Sequence, residues 1–287
     1  PASVLGLDIG GSSSRARLRS GAETRDATGP GANIATLHAD LVNERLHALL
    51  DELGDARPVA CCAGAAGAEE PAARERLRRL IERRLPECRV VVVHDTRLVL
   101  AAAGLDAGIA LIAGTGSSAY ARSADGREAR RGGWGWLVGD EGSGVWVTRE
   151  AVRLVMARSD ADADLGALGD RLLAACQTRD PQKLVARLHE LHEAAAWAAL
   201  ARVVFETASS DPGSREIVVR AATELARLVM PLRFLAAEGP VVLAGGLLLH
   251  QPLLEDAVRR AIAMPCVRLE EPPVEGAVRL AEGLLVR

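Results

Sequence analysis

The sequence predicts an α/β protein made of two lobes of related construction. Short β-rich apolar runs that end in glycines recur along the chain, as SVLGLDIGG near the start, GIALIAGTGSS in the middle and PVVLAGG near the end. The first two are followed by polar segments typical of antiparallel strands or a hairpin. The chain has 287 residues, which is long enough for two such lobes or for one large α/β domain.

The first lobe begins with a predicted three-stranded meander, formed by SVLGLDI, SRARLRS and a short strand near residues 23–27. Leucine spacing predicts a helix over 34–53. PVACCAGAAG predicts a buried strand, and the helix after it stops at Pro86. CRVVVVHD is the most strand-like run, and its four consecutive valines predict burial on both faces, as in a parallel sheet. An Ala/Leu-rich helix follows this strand.

The second lobe repeats this plan. AYARSADGREARRGG predicts a hairpin with an Asp-Gly turn, and a helix is expected over about 143–157. A long helical region then runs to about Ala237, followed by a buried strand at PVVLAGGLLL and by helix, strand and helix. The predicted lobes are 1–105 and 106–287, with a helical insertion at about 150–237 and a C-terminal helix at about 274–287 that packs back on the first lobe.

Composition excludes several functional classes. The chain is 49% hydrophobic and 25% charged, which is typical of a folded globular protein. Its formal net charge of −3 argues against nucleic-acid binding, and no apolar stretch is long enough to span a bilayer. Five cysteines without C-x-x-C spacing, and no signal-type segment, predict a reduced, cytoplasmic protein. The helical stretch carries enough apolar surface to support a homodimer.

The first glycine turn comprises Gly10, Gly11, Ser12 and Ser13 and follows Asp8 at the end of a predicted strand. Glycines let the backbone approach a phosphate closely, and the serine hydroxyls add hydrogen-bond donors. An acid beside such a turn can hold a hydrated Mg²⁺. Taken alone, the same residues could equally form a plain hairpin turn.

The second glycine turn comprises Gly114, Thr115, Gly116 and Ser117, and the third centres on Gly245 and Gly246. The second turn fits the G-x-G-x-x-G/A dinucleotide fingerprint, but a polar hairpin follows it where that fingerprint requires a helix. A P-loop is excluded more firmly, because the single lysine, Lys183, is far from every glycine turn. Two glycines in the third turn would let a base or ribose lie against the backbone.

The order of these three turns resembles that of the sugar-kinase, Hsp70 and actin superfamily. GGWGWLVGDEGSG at 132–144 is similar to the signature of N-acetylglucosamine kinases within the BadF/BadG/BcrA/BcrD-type ATPases, as are Gly29–Asn33 and Val93–Asp95. The resemblance covers essentially the whole chain. It implies a two-lobed, actin-like (ribonuclease H-like) ATPase fold with an active-site cleft between the lobes, and ATP and Mg²⁺ as cofactors.

By this resemblance, Asp95 is the general base. Phosphoryl transfer to a sugar hydroxyl needs a carboxylate within hydrogen-bond reach of that hydroxyl. The alternative is that Asp95 serves only as a helix N-cap. Asp8 is expected to hold Mg²⁺ through water. The first two glycine turns are expected to bind the phosphates, and the third to line the nucleotide pocket.

The resemblance also implies a sugar site, formed by Asn33, Asp95, Gly133, Trp134, Gly135 and Asp140. Glycines expose backbone groups to an acetamido group or hydroxyls, and a tryptophan ring packs against the apolar face of a sugar. Asp140 and Asn33 are expected to accept hydrogen bonds from sugar hydroxyls. Trp134 is the residue expected near the substrate and Trp136 the one expected to pack, although both could simply pack the loop against the next helix.

The implied reaction is ATP-dependent phosphorylation of the 6-hydroxyl of an amino sugar, giving N-acetylglucosamine 6-phosphate from N-acetylglucosamine. Glucosamine is the nearest alternative acceptor, and N-acetylmuramic acid and N-acetylmannosamine remain open. A different class of function is an ATP-driven activator of a reductase, which would hold an iron–sulfur cluster through cysteines at a dimer interface. A sugar-sensing regulator would need a DNA-binding extension.

Overall fold

The computed structural model describes residues 2–55, 57–68, 70–236 and 239–285. Within these ranges the strands are β1 (Ser3–Ile9), β2 (Ser13–Ser20), β3 (Glu23–Pro30), β4 (Ala60–Ala65), β5 (Arg89–His94), β6 (Gly108–Ala113), β7 (Ser117–Arg122), β8 (Glu128–Gly132), β9 (Val241–Ala244) and β10 (Cys266–Arg268). The helices are α1 (Ala39–Asp51), α2 (Pro71–Arg84), α3 (Asp95–Ala102), α4 (Gly144–Asp160), α5 (Gly166–Ala175), α6 (Pro181–His189), α7 (Ala194–Ala199), α8 (Arg202–Thr207), α9 (Pro212–Val229), α10 (Gly246–His250), α11 (Pro252–Ile262) and α12 (Pro273–Glu282).

The chain divides into two units. The first contains Pro1–Asp106 and Leu269–Arg287, and the second contains Ala107–Arg268. The helix α12, near the C-terminus, lies in the first unit, where it packs against β1 and α3. The last two residues predicted for this helix, and Ala237 at the predicted end of the helical region, lie outside the described residues.

The first unit is a mixed sheet with the strand order β3-β2-β1-β4-β5. The three N-terminal strands pair antiparallel, which confirms the predicted meander, and β1, β4 and β5 run parallel. Alternation along β1 sends Leu5, Leu7 and Ile9 into the core under α1 and α2, while Val4 faces α3 and α12. The carboxyl ends of the parallel strands therefore meet at one edge of this sheet.

The prediction that the valine-rich strand is buried on both faces is wrong. It forms β5, which is an edge strand, and Val91, Val92 and Val93 are only half-buried. Within this sheet, the strand with every residue buried is β4, whose sequence ACCAGA has small side chains. A run of valines reports strand propensity, whereas burial depends on the position of the strand in the sheet, which the run does not encode.

The predicted helix over 34–53 begins later than expected, at Ala39. Asn33 forms a local turn, because its side-chain oxygen accepts a hydrogen bond from the amide of Ala35 at 2.8 Å. His38 then caps the helix by accepting from the amide of Asp40. The leucine periodicity was continuous through this turn and did not reveal it.

The second unit contains a sheet with the order β10-β9-β6-β7-β8 and a helical region from α4 to α9. The predicted hairpin is confirmed, since β7 and β8 pair antiparallel around a turn in which Gly126 has a φ of +87°. Ser143 is the N-cap of helix α4, and its hydroxyl accepts from the amide of Trp146 at 3.3 Å. Asp211 caps α9 and also pairs with Arg158 of α4 at 2.8 Å.

All five cysteines are free thiols, and the three in the first unit are buried. Burial raises the pKa of Cys62 to about 12, so this thiol is protonated at neutral pH. Among the described residues, no helix is both long enough and apolar enough to cross a bilayer.

Candidate active site

The first glycine turn joins β1 to β2 at the carboxyl edge of the first sheet. The amide of Gly10 donates to the carbonyl of Ser13 at 2.9 Å, which closes the turn. Gly11, Ser12 and Ser13 are exposed. The hydroxyls and amides at the tip of the turn are therefore accessible to an anion.

The segment after β3 lies directly on this turn. The amide of Gly31 donates to the carbonyl of Ser12 at 3.2 Å, and the amide of Ala32 donates to the carbonyl of Gly10 at 3.1 Å. A side chain at Gly31 would collide with the backbone of Gly11. The GPGAN stretch thus brings Asn33, a predicted sugar ligand, beside the predicted phosphate ligands.

Asn33 is held by its own turn and by a neighbouring glycine. Its Oδ1 accepts from the amide of Ala35, and it lies where a side chain on Gly67 would be. Gly67 also has a φ of +83°. Both this backbone conformation and the space occupied by Asn33 therefore favour glycine at that position. Oδ1 keeps a second lone pair and the amide nitrogen carries two N–H groups, so the side chain can still accept from or donate to a sugar hydroxyl.

Asp95 is the first residue of α3, one position after the end of β5. The N-cap of this helix is His94, whose Nδ1 lies 2.8 Å from the Asp95 Oδ1. The same carboxylate oxygen accepts from the amide of Thr96 at 2.7 Å. Gly64 on β4 leaves room for Leu98, so α3 packs close to the sheet. The Asp95 carboxylate is thereby fixed at the edge where β1 and β4 also end.

Asp8 lies near Asp95 at this same edge. The pKa of Asp8 is raised to about 7, first by burial and then by the charge of Asp95, against an opposing effect of Arg15. Arg15 lies directly across from Asp8 in the β1–β2 pairing. Two neighbouring carboxylates of this kind fit a divalent cation that keeps several waters. Within the described residues, no group of three or more His, Cys, Asp or Glu side chains is arranged to hold a metal ion.

The second glycine turn joins β6 to β7 in the second unit. The amide of Gly114 donates to the carbonyl of Gly116 at 2.9 Å. The first amides of α4 return to this turn, because Gly144 donates to the carbonyl of Gly114 at 2.9 Å and Val145 to that of Thr115 at 3.4 Å. Thr115 is only half-buried, so its side chain is the better placed of the turn's hydroxyls to meet a phosphate.

Ser117 has a different environment from the one predicted. Its hydroxyl donates to the carbonyl of Glu141 at 2.7 Å, and its carbonyl accepts from the amide of Gly133 at 2.9 Å. Its amide donates to the buried carboxylate of Asp140. All three polar groups of Ser117 are thus engaged inside the protein, which argues against the predicted phosphate contact of its side chain.

The third glycine turn lies beside the second. Gly245 has a φ of +92°, and a side chain there would collide with the backbone of Ala113 at the end of β6. A side chain on Gly114 would lie 3.7 Å from the amide of Gly246. The structure therefore brings together the second turn, predicted to bind phosphates, and the third turn, predicted to line the nucleoside pocket, at one edge of the second sheet.

The segment Gly133–Asp140, called the tryptophan loop below, is apolar and exposed at its tip and buried at its end. Trp134 and Val138 are 77% and 80% exposed. Trp136 is half-buried, and its carbonyl accepts from Arg149 at 3.3 Å. Asp140 is 8% exposed, and burial raises the pKa of its carboxyl. The exposed ring of Trp134 suits a ligand, and Trp136 suits packing.

Three residues that sequence reasoning did not single out also shape these sites. Arg130 donates to the carbonyl of Gly133 at 2.7 Å, and its charge acts on Asp140. Gly67 supports Asn33, and Arg15 faces Asp8. The predicted meander made the strand that contains Arg15 a neighbour of the strand that contains Asp8, but the pairing of these two residues comes from the structure. No comparable signal in the sequence indicated Gly67.

The chain belongs to the BadF/BadG/BcrA/BcrD ATPase family, whose model matches residues 5–279. As a member of an ATPase family, it uses ATP. This assignment confirms the family resemblance, and the two mixed sheets with their helices confirm the predicted α/β fold.

Individual relatives are similar along different parts of the chain. An N-acetyl-D-glucosamine kinase of Dictyostelium discoideum is 25% identical over 285 residues, covering 90% of this chain and 89% of that protein. An N-acetylmuramic acid/N-acetylglucosamine kinase of Clostridium acetobutylicum is 37% identical over 103 residues, a match that spans only 35% of this chain and 33% of that relative. The crystal structure of a proposed N-acetylglucosamine kinase from Chromobacterium violaceum superposes with a TM-score of 0.81 at 25% identity, covering 98% of this chain and 99% of the other.

Proposed function

We propose that the protein transfers the γ-phosphoryl group of ATP to the 6-hydroxyl of an amino sugar, with N-acetylglucosamine as the acceptor. One observation carries this proposal. The tryptophan loop presents an exposed indole at its tip, while its buried end contacts the second glycine turn through Asp140 and Gly116. An aromatic surface for a sugar thus lies next to a backbone turn suited to phosphates.

Sugar kinase is the class of enzyme that the relatives and the structural neighbours indicate for the chain. The proposal concerns the acceptor and the roles of individual residues. The acetylated sugar is favoured because the complete GGWGW…GDEGSG sequence is present and because both curated relatives are named as kinases of N-acetylglucosamine.

In the proposed reaction the oxygen of the sugar hydroxyl attacks the γ-phosphorus and ADP departs. Asp95 accepts the proton that this hydroxyl loses. His94 lies 2.8 Å from the Asp95 carboxylate and fixes its orientation. Gly10–Ser13 and the Gly114–Gly116 backbone with Thr115 hold the phosphates, and Gly245 and Gly246 line the nucleoside pocket. Asn33, Gly133, Trp134, Gly135 and Asp140 bind the sugar.

Asp8 is the proposed site for Mg²⁺, held through water. The ion supplies charge neutralisation for the phosphates when it is bound. Asp8 contributes a carboxylate that faces this region from β1, and Asp95 contributes a second negative charge close to it. Binding a cation would favour the ionised form of Asp8.

N-acetylmuramic acid is the second candidate acceptor, because the Clostridium acetobutylicum relative is named for both sugars. Glucosamine remains the alternative that would change only the interpretation of the tryptophan loop.

The reductase-activator alternative finds no support in the cysteines: Cys61 and Cys62 lie on β4, which is buried along its whole length. Neither thiol is placed to share a metal cluster with a second molecule.

The test is ADP release with Mg-ATP and each of five sugars at matched concentration: N-acetylglucosamine, glucosamine, N-acetylmannosamine, N-acetylmuramic acid and glucose. Nuclear magnetic resonance of the product then identifies the phosphorylated oxygen. A clear preference for N-acetylglucosamine with phosphate on O6 is expected, and the sugar should raise ATP turnover well above the sugar-free rate. Preference for glucosamine would overturn the role of the tryptophan loop, and equal turnover with and without every sugar would overturn the kinase proposal.

A further inference from the structure

Each residue of the second glycine turn contacts the segment 133–145, which contains the tryptophan loop and the start of α4. The carbonyls of Gly114 and Thr115 accept from the first amides of α4, at the end of this segment. A side chain on Gly116 would lie 2.5 Å from the Asp140 Oδ2. The three polar groups of Ser117 bond to Gly133, Asp140 and Glu141. The turn and the loop are therefore joined directly, through Ser117 and Asp140.

Asp140 is the point at which the loop and the turn meet. Its φ is +57°, a backbone conformation that costs a non-glycine residue free energy and persists only where its surroundings enforce it. The carboxylate is buried and accepts from the amides of Ser117 and Gly135, one in the turn and one in the loop. The carbonyl of Asp140 accepts from the amide of Ser143, the cap of α4, at 3.1 Å.

Ser117 contributes the side chain that links the turn to the far end of the loop. It is 4% exposed, and its 2.7 Å hydrogen bond to the Glu141 carbonyl spans 24 positions in the sequence. Its backbone bonds to Gly133 and Asp140 lie at the two ends of the same loop. Ser117 thus fixes both ends of the tryptophan loop to the turn while leaving the exposed tip free.

We propose that Ser117 is a positioning residue that couples the two ligands, so that nucleotide bound at the second glycine turn orders the tryptophan loop and sugar bound at the loop tightens nucleotide binding. This inference rests on the proposed function, and it adds an energetic connection between the two sites. Linkage requires the effect to be reciprocal and equal in both directions. Couplings of this kind are typically about 5–150-fold in affinity.

The first experiment is hydrogen exchange of the whole protein with and without adenylyl imidodiphosphate and Mg²⁺, in the absence of any sugar. We expect the nucleotide to slow exchange both in the turn and in the loop amides, including Gly135, Val138 and Gly139. Protection confined to the turn would overturn the coupling. Protection nowhere would overturn the nucleotide site and the coupling with it.

The variants then test whether Ser117 carries the effect. In Ser117→Ala, loop protection should be lost while turn protection persists, and Ser117→Thr, which keeps the hydroxyl, should restore it. Ser123→Ala is the matched control, because Ser123 is also buried and its hydroxyl hydrogen-bonds locally, to the Asp125 carboxylate and the Arg127 carbonyl, at the other end of the hairpin. Loop protection in Ser117→Ala equal to that of the wild type would refute the role of this residue.

The second measurement is the Kd of the same nucleotide with and without saturating N-acetylglucosamine. We expect sugar to lower the wild-type Kd about tenfold and the Ser117→Ala Kd by less than about twofold. Should Ser117→Ala fail to fold, Gly116→Ala tests the same junction, since its methyl group would displace the Asp140 carboxylate. An equal sugar effect in the variants and the wild type would overturn the coupling. If no amino sugar is phosphorylated while nucleotide still protects the loop, the proposed function fails and only the ordering of the loop by nucleotide stands.

Discussion

The first and second glycine turns have the same local plan, a strand that ends in glycines and returns as an antiparallel strand, yet their environments are opposite. In the first, Ser12 and Ser13 are exposed, and the adjoining segment makes backbone contacts at Gly31. In the second, Ser117 is buried and the contact involves the Asp140 side chain. The first turn is open on its side-chain face, whereas the second is joined to a neighbouring loop through buried side chains.

This difference shows that similar turn sequences do not carry similar roles. What distinguishes the turns is the segment that returns to each of them. After β3 the chain returns as Gly31–Asn33, a short segment that bonds through its main chain. After β8 it returns as a longer loop that ends in the buried Asp140. The serines of the first turn are free to bind a phosphate, and the serine that begins β7 holds a loop.

The largest expected effect is on turnover, and it comes from the proposed general base in the first unit. Asp95→Asn should lower kcat by about 10²–10⁴-fold, because the amide cannot accept the hydroxyl proton. The substitution keeps the shape of the side chain, so the unfolding midpoint should change little. The measurement is steady-state turnover with thermal unfolding of the same samples.

Asp40→Asn is the matched control for that variant. Asp40 lies in the first turn of α1, whose N-cap is His38. Asp95 lies in the first turn of α3, whose N-cap is also a histidine, His94. It is 94% exposed at its side chain and lies outside the site. Full activity in Asp40→Asn would exclude the helix-terminus charge as the cause. Appreciable turnover in Asp95→Asn would contradict the general-base role.

The sequence predicted much of this arrangement because glycine turns and strand alternation are local signals. The meander, the two strand–turn–strand units and the hairpin at Asp125-Gly126 all followed from neighbouring residues. The family resemblance supplied the site residues, and the exposure of Trp134 and the half-burial of Trp136 agree with the roles assigned to them.

What the sequence could not indicate depends on contacts between distant residues. The burial of β5 was overestimated because nothing in RVVVVH reveals an edge position. The engagement of Ser117 with Glu141 arises from folding across 24 positions. The late start of α1 arises from an asparagine turn inside a continuous leucine pattern. Each of these errors concerns which partner a residue meets, which is a property of the tertiary structure.

A smaller effect is expected on the pH dependence of stability, and it comes from Asp8, beside the first turn. Asp8 has a pKa raised to about 7 from an ordinary value of 3.8, so the folded protein holds a proton that the unfolded chain releases. The free energy of unfolding should therefore fall as the pH rises from about 4 to about 7 and level off above that range. The loss attributable to Asp8 is on the order of 2–4 kcal/mol.

Urea unfolding of the wild type and Asp8→Asn at pH 5 and pH 8 measures this contribution. Asp8→Asn should lose less stability between the two values, because its neutral amide needs no proton. Asp26 is an acid of the same unit with the opposite shift, since hydrogen bonds from Arg17 lower its pKa. Asp26→Asn should accordingly leave the Asp8-dependent fall in place. An identical pH dependence in the wild type and Asp8→Asn would show that Asp8 ionises normally.

The smallest expected effect is on stability. It tests two contacts, one that joins the first turn to Gly31 and one that joins the second turn to Asp140. A methyl group at Gly31 would meet main-chain atoms of the first turn, including the amide of Ser12 at 2.7 Å, and backbone cannot move aside cheaply. A methyl group at Gly116 would meet the Asp140 carboxylate at 2.5 Å, and a side chain can rotate. Gly31→Ala should therefore lower the free energy of unfolding by about 2–3 kcal/mol and Gly116→Ala by about 1 kcal/mol.

Gly11→Ala is the control for both, because nothing lies within 4 Å of the position its methyl group would take. Its stability should stay within about 0.5 kcal/mol of the wild type, as for a surface substitution, although it should weaken ATP binding at the proposed phosphate site. Denaturant unfolding and nucleotide affinity, measured on all three variants, separate the two quantities. If Gly116→Ala proved as costly as Gly31→Ala, the Asp140 side chain would be as immovable as backbone, and the two turns would be equally rigid at these contacts.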